Sequence, residues 1–331
     1  MKFVAFYPSR PFWAVTKIDL EAPDVREHFR DRMSEEVFRK ETLGYIVSVS
    51  RDGRISLNIS DFVDIKTEKT DALVRSWGTY LDHLNAIYLF LDCAVAKIQN
   101  FAYFNLHEVT NRDAFPTSVG ELRGESIASE SIAGSFQLGR SYDWHPTHSL
   151  PLAYQPMFFS RHLVTAEALG EMVDTYFKAV IVPGAVKAYA GIARAISSYK
   201  ITNYETSLVF SWFIVEELIN LLWDDFLTEN SFEMPDKSQR INKDRRNLLN
   251  GRDYTTSVRS NILELAGCLE FGLFSDINTV RAHRNHIVHQ KKGVTLDDDD
   301  ARLGVYTSLK MAEQRWGISI RPPMGYSITG L

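Results

Sequence analysis

Long apolar runs are missing from this sequence. No stretch reaches the roughly 18 uncharged apolar residues that a membrane-crossing helix needs, so no membrane span is expected. The apolar segment from Met1 to Pro8 is too short for a signal peptide. Cysteine is nearly absent: Cys93 and Cys268 are the only two in 331 residues. They are far apart and each sits in an apolar helical pattern, so buried free thiols in a reducing cytoplasm are expected. A strong charge imbalance is lacking as well. A net charge of −5 argues against a general nucleic-acid coat and leaves room only for a local basic site. The acidic excess belongs to the N-terminal half, because 18 basic and 18 acidic residues lie from Ala185 onward against 19 and 24 before it.

What is present is ordinary globular sequence. With 45% hydrophobic and 24% charged residues, disorder of the whole chain is not expected, and the length suits two domains or one large one. In the N-terminal half, Lys2–Tyr7 and Phe12–Leu20 read as strands. Asp24–Thr42 carries Val25, Phe29, Met33 and Val37 at spacings of four, which predicts a surface helix. Tyr45–Val49 and Arg54–Ile59 are β-rich runs joined by Ser50-Arg51-Asp52-Gly53, a hairpin signal. Then Leu73, Trp77, Tyr80, Leu84, Ile87, Leu91, Ala94, Ile98 and Phe101 form a heptad stripe. Its breadth (Leu81, Tyr88, Leu89, Val95) favours a helix buried in a bundle over a two-stranded coiled coil.

Phe101–Ser160 shows little periodicity and reads as a long loop. Within it, Asp143-Trp144-His145-Pro146-Thr147-His148 reads as an exposed turn, since a tetrahedral metal site rarely takes its ligands from one such turn. Thr165 caps a helix to about Val180 with Ala168, Met172, Val173 and Tyr176 inward. Pro183-Gly184 breaks the pattern, giving an N-terminal α+β domain over 1–182 and a helical domain over 183–331.

The C-terminal half reads as five helices. Ala185–Tyr199 and Asn203–Leu227 come first. The second of these is apolar on more than one face (Leu208, Trp212, Val215, Ile219, with Phe213, Leu218 and Trp223) and should be central. Glu216 and Asn220 flank its stripe; Glu216 either meets an arginine of a later helix or faces solvent. The connector Lys237–Arg252 holds Lys237, Arg240, Lys243, Arg245, Arg246 and Arg252 against Asp244, so it is either a solvated loop or a guide for a polyanion. A third helix from Ser257 should turn Val258, Ile262, Leu265 and Leu269 inward and end at Gly272. A fourth should begin at Ser275-Asp276 and close at Lys291-Lys292-Gly293. The acids Asp297–Asp300 suit the start of the fifth and are not spaced as a calcium loop.

The fourth helix carries the unusual stretch Arg281-Ala282-His283-Arg284-Asn285-His286-Ile287-Val288-His289. Arg281, Asn285 and His289 share one stripe, while Arg284 lies about 140° around the helix from His289. A fixed cation, an amide and an imidazole together suit a phosphate ester. The three histidines are a weak zinc set: spacings of three spread His283 and His289 by about 120°, whereas metalloprotease helices use spacings of four.

Arg284-Asn285-His286-Ile287-Val288-His289 fits R-N-x-x-x-H in a late helix of an all-α bundle, and the portion from Ala185 to Trp316 resembles a HEPN domain. The helix with Trp212 and Glu216-Glu217-Leu218 resembles the second helix of the ApeA-like branch. The resemblance does not extend to residues 1–182. It implies a mainly α fold with a five-helix HEPN-like bundle and a metal-independent endoribonuclease without cofactor. Arg284 and His289 would be catalytic and Asn285 supporting, with Glu216, Arg281 and His286 as further supports. The basic residues Lys237, Arg240, Lys243, Arg245 and Arg246 are candidates for RNA contact. It further implies an RNA substrate, a homodimer with two motifs facing one cleft, and a trigger or inhibitor sensed by the N-terminal half, in a toxin or antiviral defence setting. The alternative is a non-catalytic HEPN module that binds RNA, a nucleotide or a protein. A third possibility is structural, with Arg281 and Arg284 neutralising Glu216 or the Asp297–Asp300 run.

Overall fold

A computed structural model describes residues 3–19, 22, 28–59, 70–117, 161–289 and 296–325. The protein is mainly α with an α+β part. It divides into two compact units, Met1–Ala193 with Arg321–Leu331, and Arg194–Ile320. The division falls within a helix, later than the Pro183-Gly184 break.

The first unit contains a five-stranded antiparallel sheet. Its strands are β1 (Phe3–Phe6), β3 (Glu36–Thr42), β4 (Tyr45–Ser50), β5 (Ile55–Ile59) and β6 (Phe115–Thr117), in the order β3-β4-β5-β1-β6. The register pairs Val4 with Leu57 and Phe6 with Ile55, and Val47 and Val49 with the same two β5 residues. Strands alternate their side chains, so these six apolar residues share one face. The expected hairpin is β4–β5. At its turn Asp52 accepts from the Tyr7 hydroxyl at 2.6 Å and from the Arg54 N–H at 3.2 Å. Gly53 has φ +88°, and a Cβ there would stand 2.9 Å from the Phe12 ring. Both the backbone and the space require glycine, so Gly53→Ala is expected to lower the unfolding free energy by about 1–3 kcal/mol in a denaturant titration.

Two expectations for this unit fail. Asp24–Thr42 is not one helix: among its described residues α1 (Phe29–Ser34) is a single short helix, and Glu36–Thr42 is the edge strand β3. The spacing of four is weak, and pairing with β4 sets Phe38 opposite Val49 in the pleated environment that aromatic residues fit. The second strand is also shorter than expected. β2 covers Phe12–Ala14 only, because Val15 turns to φ +65°, and it pairs in parallel with β7 (His162–Val164).

The long helix is α2 (Thr70–Gln99). From Leu84 to Val95 its described side chains are all buried, a burial wider than the heptad stripe. It packs against α3 (Ala166–Val180), which Thr165 caps by accepting from the Ala168 N–H at 3.2 Å. Between them His83 Nδ1 and the Tyr176 hydroxyl share a hydrogen bond of 2.7 Å, and Tyr45 stacks on the imidazole. Burial lowers the His83 pKa to about 4 and pushes the Tyr176 hydroxyl well up. Cys93, in α2, is buried as a free thiol, whereas Cys268 is half-buried in a turn and not in a helix. The Asp143–His148 turn lies outside the described residues.

The chain leaves the first unit within α4 (Ala185–Lys200). The second unit then holds α5 (Tyr204–Glu229), the short α6 (Lys243–Leu249), α7 (Thr256–Leu265), α8 (Phe271–Val288) and α9 (Asp298–Trp316). Helix α5 is central and packs against α7, α8 and α9. By length and composition it could cross a membrane, with a mean hydropathy of 1.3, but half of that window is buried inside the protein and Glu216 and Glu217 sit within it. Leu218 and Trp223 are buried as expected, while Phe213 is 52% exposed. Helix α9 approaches α5 closely through small residues: Ser207, Ser211, Gly304 and Ser308 are all buried, and a Cβ on Gly304 would stand 3.2 Å from that of Ser211. Arg315 meets Asp225 at 3.0 Å further along, so α9 and α5 run parallel.

Helix α7 is rotated from its expected phase. Ser260 and Leu263 face inward, Val258 is exposed and Leu265 is 84% exposed. The cause lies on α5, whose facing side is polar: Glu216 accepts from the Thr256 hydroxyl at 2.7 Å and Asn220 from Arg259 at 2.6 Å. Arg259 also lies 5.9 Å from the centre of the Trp223 ring. These contacts fix the phase, because leaving Glu216 and Asn220 unpaired at a half-buried interface costs more than exposing two aliphatic side chains. Helix α7 ends at Leu265 and not at Gly272. Gly267 takes φ +74°, and the N–H groups of Gly267 and Cys268 close the helix on Glu264 and Leu263. Helix α8 therefore starts at Phe271, placing Ser275 and Asp276 inside it. Asp276 accepts from Lys310 at 2.8 Å instead of capping.

Candidate functional site

The apolar stripe of α8 is Leu273, Ile277 and Val280, its only buried residues. Continued by four and three residues, that stripe reaches Arg284 and Ile287, both half-buried. The inward line of the helix thus carries one cation, Arg284, between Val280 and Ile287. Arg284 donates from Nη1 to the Asn285 side-chain oxygen at 3.1 Å, and Arg281 donates to Asn278 at 3.1 Å. The Nε atoms of both arginines are buried without a hydrogen-bond partner among the described residues. No carboxylate lies within ion-pair distance of either guanidinium among those residues.

His289 forms the C-cap of α8, its N–H bound to the Asn285 carbonyl at 3.0 Å and its side chain exposed. No hydrogen bond joins it to Arg284 among the described residues, in keeping with their angular separation on the helix. The other two histidines have different surroundings. His286 is half-buried, with Nδ1 lacking a partner among the described residues. His283 faces Asp300 on α9, Nδ1 to Oδ1 at 2.9 Å. Among the described residues no group of three His, Cys, Asp or Glu side chains could hold a metal ion.

Two expected participants are elsewhere. Glu216 is bound to Thr256 on the α7 side of α5, not to an arginine of α8. The basic connector is at the far end of the unit. Arg246 donates to Thr228 at 2.7 Å and Arg240 to Asn230 at 3.2 Å, which ties the connector to the C-terminus of α5. His283–Asp300 and Asp276–Lys310 show α8 antiparallel to α9, and hence to α5. Arg284 therefore lies near the beginning of α5, about 30 Å from Thr228 along the helix axis. Lys237, Arg240, Lys243, Arg245 and Arg246 cannot flank Arg284 within one protomer. Arg245 spends its guanidinium on the Arg240 carbonyl at 3.0 Å, so the connector cations shape their own loop.

Comparison of the chain with protein-family models, curated proteins and solved structures finds no match.

The end that holds Arg284 also holds the start of α9. Asp297 and Asp300 form a capping box, each side chain accepting from the other's N–H. Asp298 accepts from both the Tyr199 hydroxyl and Arg302, and Arg302 also donates to Tyr199 at 3.0 Å. Burial, then the bond to Asp298, raises the Tyr199 pKa. The acidic run is thereby used by its own helix, Tyr199 and His283, and neither Arg281 nor Arg284 neutralises it. The i to i+4 relation of Asp298 and Arg302 was the sequence signal for part of this network. Nothing local signals the pairing of His283 with Asp300.

Proposed function

We propose that the second unit is a HEPN-type, metal-independent endoribonuclease in which Arg284 and His289 act on a phosphodiester. The observation that carries this reading is the state of Arg284: its guanidinium is held by the neighbouring Asn285 and no acid among the described residues claims it. A half-buried arginine without a carboxylate is prepared for an anionic ligand. The R-N-x-x-x-H resemblance supplies the chemistry. The 2′-hydroxyl of RNA attacks the adjacent phosphorus, the imidazole of His289 moves the proton, and Arg284 offsets the charge on the phosphorane oxygens. The P–O5′ bond breaks, leaving a 2′,3′-cyclic phosphate and a 5′-hydroxyl.

Arg284 on the inward stripe and His289 at the exposed C-cap suit a homodimer in which each arginine works with the partner's imidazole. On this reading the first unit senses a trigger or inhibitor, and the setting is cytoplasmic toxin or antiviral defence.

The test is RNA cleavage by the full chain in EDTA, with the product ends mapped. Metal-independent cuts ending in cyclic phosphate are expected. Cuts that require a divalent ion, or that leave a 3′-hydroxyl, would refute the mechanism. A second reading is a non-catalytic module binding RNA, a nucleotide or a protein; Asp297 and Asp299, exposed at the same end and opposed to a polyanion, favour its nucleotide- or protein-binding form. Binding of a nucleotide or protein without RNA cleavage under any condition supports that reading.

A further inference from the structure

We propose that His283 is the positioning residue of this site, holding the last two turns of α8 in place through Asp300. The two halves of α8 are fastened differently. The first half buries Leu273, Ile277 and Val280 and is pinned by Asp276 to Lys310 at 2.8 Å. After Val280 no residue of the helix is buried. In that second half Arg281 bonds to Asn278 and Arg284 to Asn285, both within α8. Among the described residues, the contact of His283 with Asp300 is the one polar link from Arg281–His289 to another helix. Arg284, Asn285 and His289 all lie on this weakly fastened part.

Asp300 is suited to the task because its position is already fixed. Its Oδ2 accepts from the Asp297 N–H at 3.3 Å in the capping box, and its Oδ1 stands 2.9 Å from His283 Nδ1. The imidazole contact is at ion-pair distance without the alignment of a hydrogen bond, so it holds as an ion pair when the ring carries its proton. Both side chains are about three-quarters buried, at 27% and 24% exposed, which protects the pair from full solvent screening. An acidic run that first reads as helix capping thus also serves as an anchor for α8.

The catalytic part of this proposal rests on the nuclease reading above; the structural part does not. Amide hydrogen exchange of the full chain tests the structural part. In His283→Ala and His283→Gln, exchange at Arg284–His289 is expected to rise about three- to tenfold, with no change at Leu273–Val280. His283→Arg supplies a permanent cation opposite Asp300 and is expected to restore the protection. Unchanged exchange in His283→Ala overturns the proposal. So does an equal rise across Leu273–Val280, which would show general loosening of the helix. Where the wild type cuts RNA, kcat is expected to fall in the same order of variants while KM stays within about twofold. A normal kcat in His283→Ala overturns the positioning role. A wild type that cuts no RNA refutes the nuclease reading and leaves the exchange result to decide the anchor.

Discussion

Arg284→Ala and His289→Ala are each expected to lower RNA cleavage by about 10²–10⁴-fold and to leave the second unit folded. The size follows from the roles: a proton carrier or a charge-stabilising donor acts in the transition state, so its loss appears mainly in kcat. The folding half follows from burial. His289 is exposed at the C-cap, and Arg284 is half-buried with one hydrogen bond among the described residues, to its neighbour Asn285. Their removal should cost no more than about 1 kcal/mol. Arg284→Lys is expected to rescue poorly, because an ammonium offers no planar fork to two phosphate oxygens. Asn285→Ala should have a smaller effect, since it orients Arg284 without touching the phosphate. If both alanine variants cut RNA within about threefold of wild type, the assignment of the pair is wrong. Mixing the two inactive variants adds a further discrimination. Recovered activity would arise from heterodimers in which one intact Arg284 meets the partner's intact His289, and a lack of recovery would place both groups in one protomer.

How much of this was legible in the sequence depends on whether the signal was local. Thr165 capping α3, the Asp-Gly hairpin between β4 and β5 and the capping box at Asp297–Asp300 are each set by residues a few positions apart. The unusual composition of Arg281–His289 was also local, and it falls on a helix as expected, although that helix ends at Val288 with His289 as its cap and not at Lys291-Lys292-Gly293. What could not be read depends on partners far along the chain. The phase of α7 was misjudged because Val258, Ile262 and Leu265 have the periodicity of a core stripe, yet Glu216 and Asn220 on α5 draw Thr256 and Arg259 inward. The same cause removed Glu216 from the candidate site. The basic connector could be read either as a solvated loop or as a guide for a polyanion, and only the direction of α8 relative to α5 shows that it lies far from Arg284. The β2–β7 pairing joins residues about 150 positions apart and has no counterpart in local pattern. Likewise nothing near His283 in the sequence marks its partner, Asp300 on α9.

The same limit applies to the buried histidine of the first unit, where a large pH effect is expected. His83 is 8% exposed, shares a hydrogen bond with Tyr176, and has its pKa lowered by burial to about 4 from the ordinary 6.5. In the unfolded chain the imidazole binds a proton near 6.5; in the folded unit it resists one until about 4. Between these values the unfolded state holds more protons, so stability rises with pH across the window. The stability is fully present above about 6.5 and is lost as pH falls, by about 3 kcal/mol once both states are protonated. Denaturant titrations of wild type and His83→Gln across this range would isolate the effect. Glutamine does not titrate and can still bond to the Tyr176 hydroxyl, so the difference between the two proteins is expected to shift steadily against wild type as the pH drops. Parallel profiles would mean that His83 takes up its proton in the folded unit without penalty. In that case the helix pair α2–α3 must open or admit water around the ring, and the close contacts of His83 with Tyr176 and Tyr45 would not persist in acid.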